Sequence, residues 1–222
     1  MTADEPVKLP TAQSVRLGLL LALVGGMLDA YTFVGYRVFA NAQTGNIVLL
    51  GVSAAQRDWW RAAERIPPIL AFIAGVLVAE TLQRPRISAF LRRPVRVAVV
   101  LEILVLIGVA LVPNDAETVV TVLVAFVASV QVTTFRTLVD TPYSTTMTTG
   151  NLRIATQNAY AAVISGDREA ARRARRFLAV VLAFLVGACL GGVLTVHLHA
   201  YAALIPAALL VAALALFVHD ER

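Results

Sequence analysis

Long unbroken runs of apolar residues constrain this chain more than any other feature. They cover residues 14–36, 67–83, 95–112, 118–138, 177–196 and 201–218. A helix needs roughly 20 apolar residues to cross the hydrocarbon core of a bilayer. No water reaches backbone groups there, so only helices or closed barrels can span. The runs do not alternate with period two, which removes the barrel. Composition agrees: 59% of residues are hydrophobic, only 15% are charged, and the mean hydropathy is +0.77. The chain reads as an all-α, polytopic membrane protein. Residues 1–13 read as a disordered cytoplasmic tail and residues 14–222 as one transmembrane domain. The first apolar run is too long for a signal-peptide core and carries Asp29, so it reads as a retained span.

The net charge is +5, and Lys8 is the sole lysine. The arginines fall in the short connections between apolar runs, where they set orientation and touch anionic lipid rather than nucleic acid. The single cysteine, Cys189, lies in an apolar run, which excludes an intrachain disulfide and a cysteine-built metal cluster. His197 and His199 have no carboxylate or thiol near them in sequence and read as interfacial. The sequence calls for no cofactor.

Two polar breaks interrupt the apolar pattern. The first holds Asn41-Ala42-Gln43-Thr44-Gly45-Asn46, followed by a short apolar piece at 47–55. The second runs from Asp140 to Asn151, ends in Thr149-Gly150-Asn151, and is followed by a short helix over 152–164. Further matches keep the same order. Asp29-Ala30-Tyr31-Thr32-Phe33 corresponds to Gln131-Val132-Thr133-Thr134-Phe135, and Ala71-Phe72-Ile73-Ala74-Gly75 to Ala183-Phe184-Leu185-Val186-Gly187. Together they indicate an internal duplication, with one repeat over 14–112 and the other over 118–218.

If both short helices enter and leave on one face, six spans remain and both termini share a side. That side collects Lys8, Arg16, the arginines of 84–96, Arg136, Arg153, the arginines of 168–176 and Arg222. The other side keeps only Arg37, Arg57, Arg61 and Arg65. Letting the short helices span makes the split less lopsided. The positive-inside rule therefore favours six transmembrane helices plus two short re-entrant half-helices, in two inverted repeats, with both termini cytoplasmic. Inverted repeats with broken helices are a common build of secondary transporters.

Polar backbone at membrane depth is tolerated where it is buried or lines a wet cavity. A half-helix beginning there offers free N–H groups to an anion. Thr44, Gly45, Asn46, Thr149, Gly150 and Asn151 are therefore candidate substrate-binding residues. Threonine or asparagine would cap the helix and glycine would allow close approach. The plainer alternative is a pair of capped surface turns. Asp29 lies deep in the first span, on a face shared with Gly25, Thr32 and Tyr36. A carboxylate at that depth marks a functional site by default. It is a candidate proton-coupling residue, with a structural carboxylate that pairs with Arg153 or hydrogen-bonds across helices as the alternative. Gln131, its counterpart, would line the same cavity, and Arg153 would meet an anion. Glu102, inside the third run, is a second coupling candidate or a helix–helix contact. Glu80, one turn before Arg84, reads as half of a surface ion pair.

Gly25-Gly26-Met27-Leu28-Asp29-Ala30-Tyr31-Thr32, the first break, and the stretch from Thr141-Pro142 to Leu152-Arg153 make the chain resemble the YoaK family. That resemblance implies a multi-span protein of the bacterial inner membrane, from a group often labelled small-molecule transporters. It brings no established substrate and no catalytic residues. The expectation is a secondary transporter of a small polar or anionic molecule, with membrane lipid and that substrate as partners and a homo-oligomer left open. A passive channel with an aquaporin-like inverted-repeat plan is the alternative. An enzyme acting on lipid lacks a nucleophile–base pair, so none is expected.

Overall fold

The computed structural model describes residues 10–91, 93–113 and 116–220. Lys8, Arg92, Asp115 and Arg222, and residues 1–9 of the expected tail, lie outside the described residues. The helices are α1 (Val15–Tyr36), α2 (Gln43–Ala55), α3 (Trp59–Ala63), α4 (Ile66–Leu82), α5 (Pro85–Leu91), α6 (Pro94–Val109) and α7 (Glu117–Thr134). A short antiparallel ladder, β1 (Thr137–Leu138) with β2 (Thr141–Pro142), precedes α8 (Thr148–Ser165), α9 (Arg168–Leu198) and α10 (Leu204–Asp220). Local chemistry sets several ends. The Ser14 hydroxyl accepts from the Leu17 amide at the start of α1, and the Asp167 carboxylate accepts from the Glu169 and Ala170 amides at the start of α9. Gly166 closes α8 with φ of 66°, a conformation glycine adopts without steric cost.

The expected six spans with two short half-helices are overturned. By length and hydropathy, four helical segments among the described residues can cross a membrane: Val15–Tyr36, Trp59–Leu82, Glu117–Thr134 and Arg168–Asp220. The expected third span forms α6, but its 16 residues rise only about 24 Å, short of a core about 30 Å thick. The two final runs form a single helical stretch of 53 residues, jointed at the 3-10 turn His199–Ala203. The expected second half-helix is an 18-residue helix, as long as α7. The all-α expectation also yields locally. Residues 135–138 leave the helix and enter the two-stranded ladder, which turns through Val139 at φ of 60°. Thr11–Gln13, expected within a disordered tail, form a 3-10 turn whose Gln13 carbonyl accepts from the Val139 amide at 2.8 Å.

α1 is the axis of the bundle. Leu17, Leu21, Val24 and Leu28 pack with residues of α6, α7 and α10, including Leu106, Val124 and Leu210. On its other side α1 lies against α9, and α4 lies against α7. Glycines make both approaches close. A methyl group at Gly187 of α9 would stand 2.0 Å from the Leu23 carbonyl oxygen of α1, and one at Gly75 of α4 would stand 2.3 Å from that of Phe126 in α7. Small residues at helix contacts are the membrane solution to close packing. Gly187→Ala is therefore expected to lower stability by about 1–3 kcal/mol through overpacking. Gly192, on the same helix with no atom within 4 Å of such a methyl, provides the control. Equal thermal midpoints for Gly187→Ala and Gly192→Ala in detergent would refute the close-approach account. Leu70, Ile73 and Leu77 of α4, and Leu182, Leu185, Leu190 and Val193 of α9, stay about half exposed. These apolar faces are the surface available to lipid chains.

The chain ends meet at one pole of the bundle. The Thr11 hydroxyl donates to Asp220 at 3.0 Å, and Arg16 pairs with Asp220 at 3.3 Å. Arg96 donates to the Phe217 carbonyl nearby at 2.8 Å. Glu80 pairs at 3.0 Å with Arg136, beyond the end of α7, rather than with Arg84 on its own chain segment. Arg173 ties α9 to the ladder through Asp140 at 2.7 Å, and that guanidinium holds the Asp140 carboxyl below the usual carboxylate range. At the opposite pole Arg65 donates to the Arg37 carbonyl.

Candidate functional site

The chain leaves α1 at Arg37, whose φ of 57° turns it back along the helix it has just left. It then descends that helix one polar group at a time. The Ala40 amide donates to the Thr32 hydroxyl at 3.1 Å, and the Asn41 amide donates to Asp29 Oδ1 at 2.8 Å. The Asn41 side-chain amide reaches the Gly25 carbonyl at 2.9 Å. Gly25, Asp29 and Thr32 lie on one face because of helical spacing, so the polar stripe of α1 is the track on which the returning chain is laid. Asp29 is 8% exposed and Asn41 and Thr32 are fully buried. No ion pair joins Asp29 to Arg153 among the described residues. The Asp29 carboxylate is held instead by a backbone amide.

One device closes both breaks. Asn46 accepts from the Phe39 amide at 3.1 Å and donates to the Phe39 carbonyl at 2.7 Å. Asn151 accepts from the Ser144 amide at 3.1 Å and donates to the Ser144 carbonyl at 2.6 Å. In each case a carboxamide grips both polar groups of the residue seven positions earlier, as a neighbouring strand would. The expected capping by threonine or asparagine is thus corrected. The cap positions are Ala42 and Met147, which contribute no side-chain bond. The Thr-Gly-Asn residues form the first turns of α2 and α8 rather than the breaks before them. The two glycines differ. A methyl at Gly45 would meet the Phe39 ring at 2.8 Å, whereas one at Gly150 would meet nothing within 4 Å.

Between the starts of these helices lies a cavity of about 760 Å³. Asp29 and Thr44 reach it from the first half, and Thr149, Gly150, Asn151 and Arg153 from the second. Phe39, Met147, Ile154 and Phe184 supply apolar wall, and Ser144, Thr146 and Thr148 add hydroxyls. A space of this size suits a small ligand. The remaining candidates do not line it. Gly45 packs on Phe39, and Asn46 is fully buried in its clamp, where it also bonds Gln43 at 3.0 Å. Gln131 turns to the Leu21 carbonyl at 3.3 Å, leaving its Oε1 without a partner. Glu102 lies apart in α6, 1% exposed, and its Oε1 also lacks a partner.

The halves are unequal in charge. The amide of Asn41, just before α2, meets a carboxylate. The matching position before α8 is Thr146, whose amide meets only the Ser144 hydroxyl at 3.3 Å. Thr146 is 2% exposed and its own hydroxyl has no hydrogen-bond partner. Thr146, Ser144 and Phe184 are contributors that motif reading passed over. The shared spacing of seven from Phe39 to Asn46 and from Ser144 to Asn151 was the available signal.

No match is found among curated proteins or among solved structures. A family model described as protein of unknown function (DUF1275) matches residues 17–217, nearly the whole chain. The protein is thus a multi-pass membrane protein belonging to the DUF1275, or YoaK, family.

Proposed function

We propose that the protein is a secondary transporter of a small anionic or polar molecule, with Asp29 as the proton-carrying group. The observation that supports this is one half-open cavity that Asp29 shares with Arg153 and the first turns of two helices. Helix starts present N–H groups and a positive dipole end, which suit an anion. A carboxylate within the same space can exchange a proton as the anion enters or leaves. The bond from the Asn41 amide to Asp29 gives that exchange a mechanical consequence. Protonation weakens the acceptor and loosens the chain that returns along α1. Proteoliposomes loaded with a panel of small organic anions test the reading by counterflow. Exchange of at least one labelled anion, accelerated by an imposed pH gradient, is expected. A panel with no exchange in either condition would refute it.

Orientation is the second part of the proposal. The pole holding Arg16, Arg96, Arg136 and Arg173 is assigned to the cytoplasm by the positive-inside rule. Phe90 and Trp60 are 86% and 77% exposed, near opposite poles. In a Cys189→Ala background, Trp60→Cys is expected to react with an impermeant thiol reagent added to whole cells. Phe90→Cys is expected to react only after permeabilisation, and the opposite pattern would reverse the orientation.

A further inference from the structure

We propose that the cavity takes a small monocarboxylate with an apolar body, its carboxylate seated at the first turn of α8. This deepens the transport reading, because it names the substrate of the same cavity. The first argument is the unequal pair of breaks. Both are closed by the same asparagine clamp, so the chain runs alike into α2 and into α8. Before α2, the protein's own carboxylate from Asp29 accepts the Asn41 amide. In the second half the residue matching Asp29 is Gln131, which bonds the Leu21 carbonyl instead. The start of α8 therefore lacks the carboxylate that its twin possesses, and it faces open space.

The second argument is independent of the helix end. Thr146 lines the cavity and is 2% exposed, yet its hydroxyl makes no hydrogen bond. The oxygen itself is enclosed, so a ligand oxygen would reach it once the side chain turned about χ1 toward the cavity, and the free-energy cost of a buried hydroxyl without a partner favours that turn. Gly150 leaves room for that oxygen, since nothing stands within 4 Å of where a side chain would begin. Arg153 also lines the cavity and makes no hydrogen bond or ion pair among the described residues. A guanidinium and a carboxylate match in shape as well as in charge.

The rest of the cavity sets the class. Among the described residues Arg153 is the one basic side chain on its wall, which suits a single negative charge rather than two. Phe39, Met147, Ile154 and Phe184 offer apolar surface, which an inorganic oxyanion would leave unused and a hydrocarbon body would cover.

Calorimetric titration of the purified full-length protein in detergent tests this with benzoate, hexanoate, benzamide, benzylamine and inorganic phosphate. Benzoate and hexanoate are expected to bind, and the other three are not. Thr146→Val and Arg153→Gln are each expected to weaken benzoate at least tenfold. Thr146→Ser should restore it, and Gly150→Val should abolish it. Glu102→Gln, which lies outside the cavity, should leave benzoate affinity within about threefold. Binding of benzamide, benzylamine or phosphate as tight as that of benzoate would overturn the proposal. So would failure of both carboxylates to bind the wild-type protein, even if proteoliposomes exchange some other solute. Arg153-dependent benzoate binding without any exchange would uphold this proposal and refute transport.

Discussion

Asn46→Ala is expected to destabilise the protein more than any other single polar substitution at the site. The carboxamide holds the amide and the carbonyl of Phe39 and also bonds Gln43, all with Asn46 itself fully buried. Alanine would leave two backbone groups without partners. Each such group costs about 1–3 kcal/mol when buried, so a loss of about 2–5 kcal/mol is expected. Asn46→Asp should not rescue it, since a carboxylate can accept from the Phe39 amide but cannot donate to the carbonyl. Asn151→Ala removes the equivalent grip on Ser144 but no further side-chain bond like that of Asn46 to Gln43, and a smaller loss is expected. Thermal unfolding in detergent, followed by tryptophan fluorescence and by retention as a monodisperse peak, reads both. An unchanged midpoint for Asn46→Ala would show that the start of α2 holds the break without the clamp.

Asp29→Asn is expected to separate energy coupling from substrate exchange. Asparagine keeps an oxygen that can accept the Asn41 amide, so the return of the chain along α1 is preserved. It cannot take up or release a proton. Accumulation driven by a pH gradient is expected to fall at least tenfold in proteoliposomes, while counterflow stays near the wild-type rate. Glu102→Gln provides the comparison, because Glu102 lies outside the cavity and bonds no described residue. It is expected to leave both activities intact. Gradient-driven accumulation by Asp29→Asn at the wild-type rate would remove Asp29 as the proton carrier. Parallel loss of accumulation and counterflow, with a lowered thermal midpoint, would assign it a structural role alone.

The sequence made much of this architecture readable where one-dimensional chemistry decides it. Residues 14–36 and 67–83 anticipate α1 and α4 within a residue or so, because apolar length, Ser14 and the proline pair determine their ends. It misled where polar residues sit inside a helix. Gln43, Thr44 and Gly45 look like a break, yet a first turn tolerates polar side chains because its own N–H groups are unused. Apolar Phe135 and Leu138 look like helix, yet they pack after the chain has left it. Asp29, Thr44, Thr149, Gly150, Asn151 and Arg153 were singled out as candidates, and they line one cavity. Gln131 and Glu102 met the same criteria but lie elsewhere, since depth in a span does not fix the direction a side chain faces. The clamps stayed hidden for a different reason. Asn46 and Asn151 hold backbone, so the side chains of Phe39 and Ser144 carry no trace of the bond.

The descent of residues 38–42 along α1 has a consequence for synthesis. The partners of Asp29, Thr32 and Asn46 all lie within 12 residues of them in the chain. The main neighbour of α1, however, is α9, which leaves the ribosome far later. Contacts near in sequence close early, and distant ones wait. Asp29 therefore enters the bilayer with a hydrogen bond already supplied by its own nascent segment. The first half can linger half-built in lipid, its buried carboxylate accommodated, until the last helices emerge to enclose it.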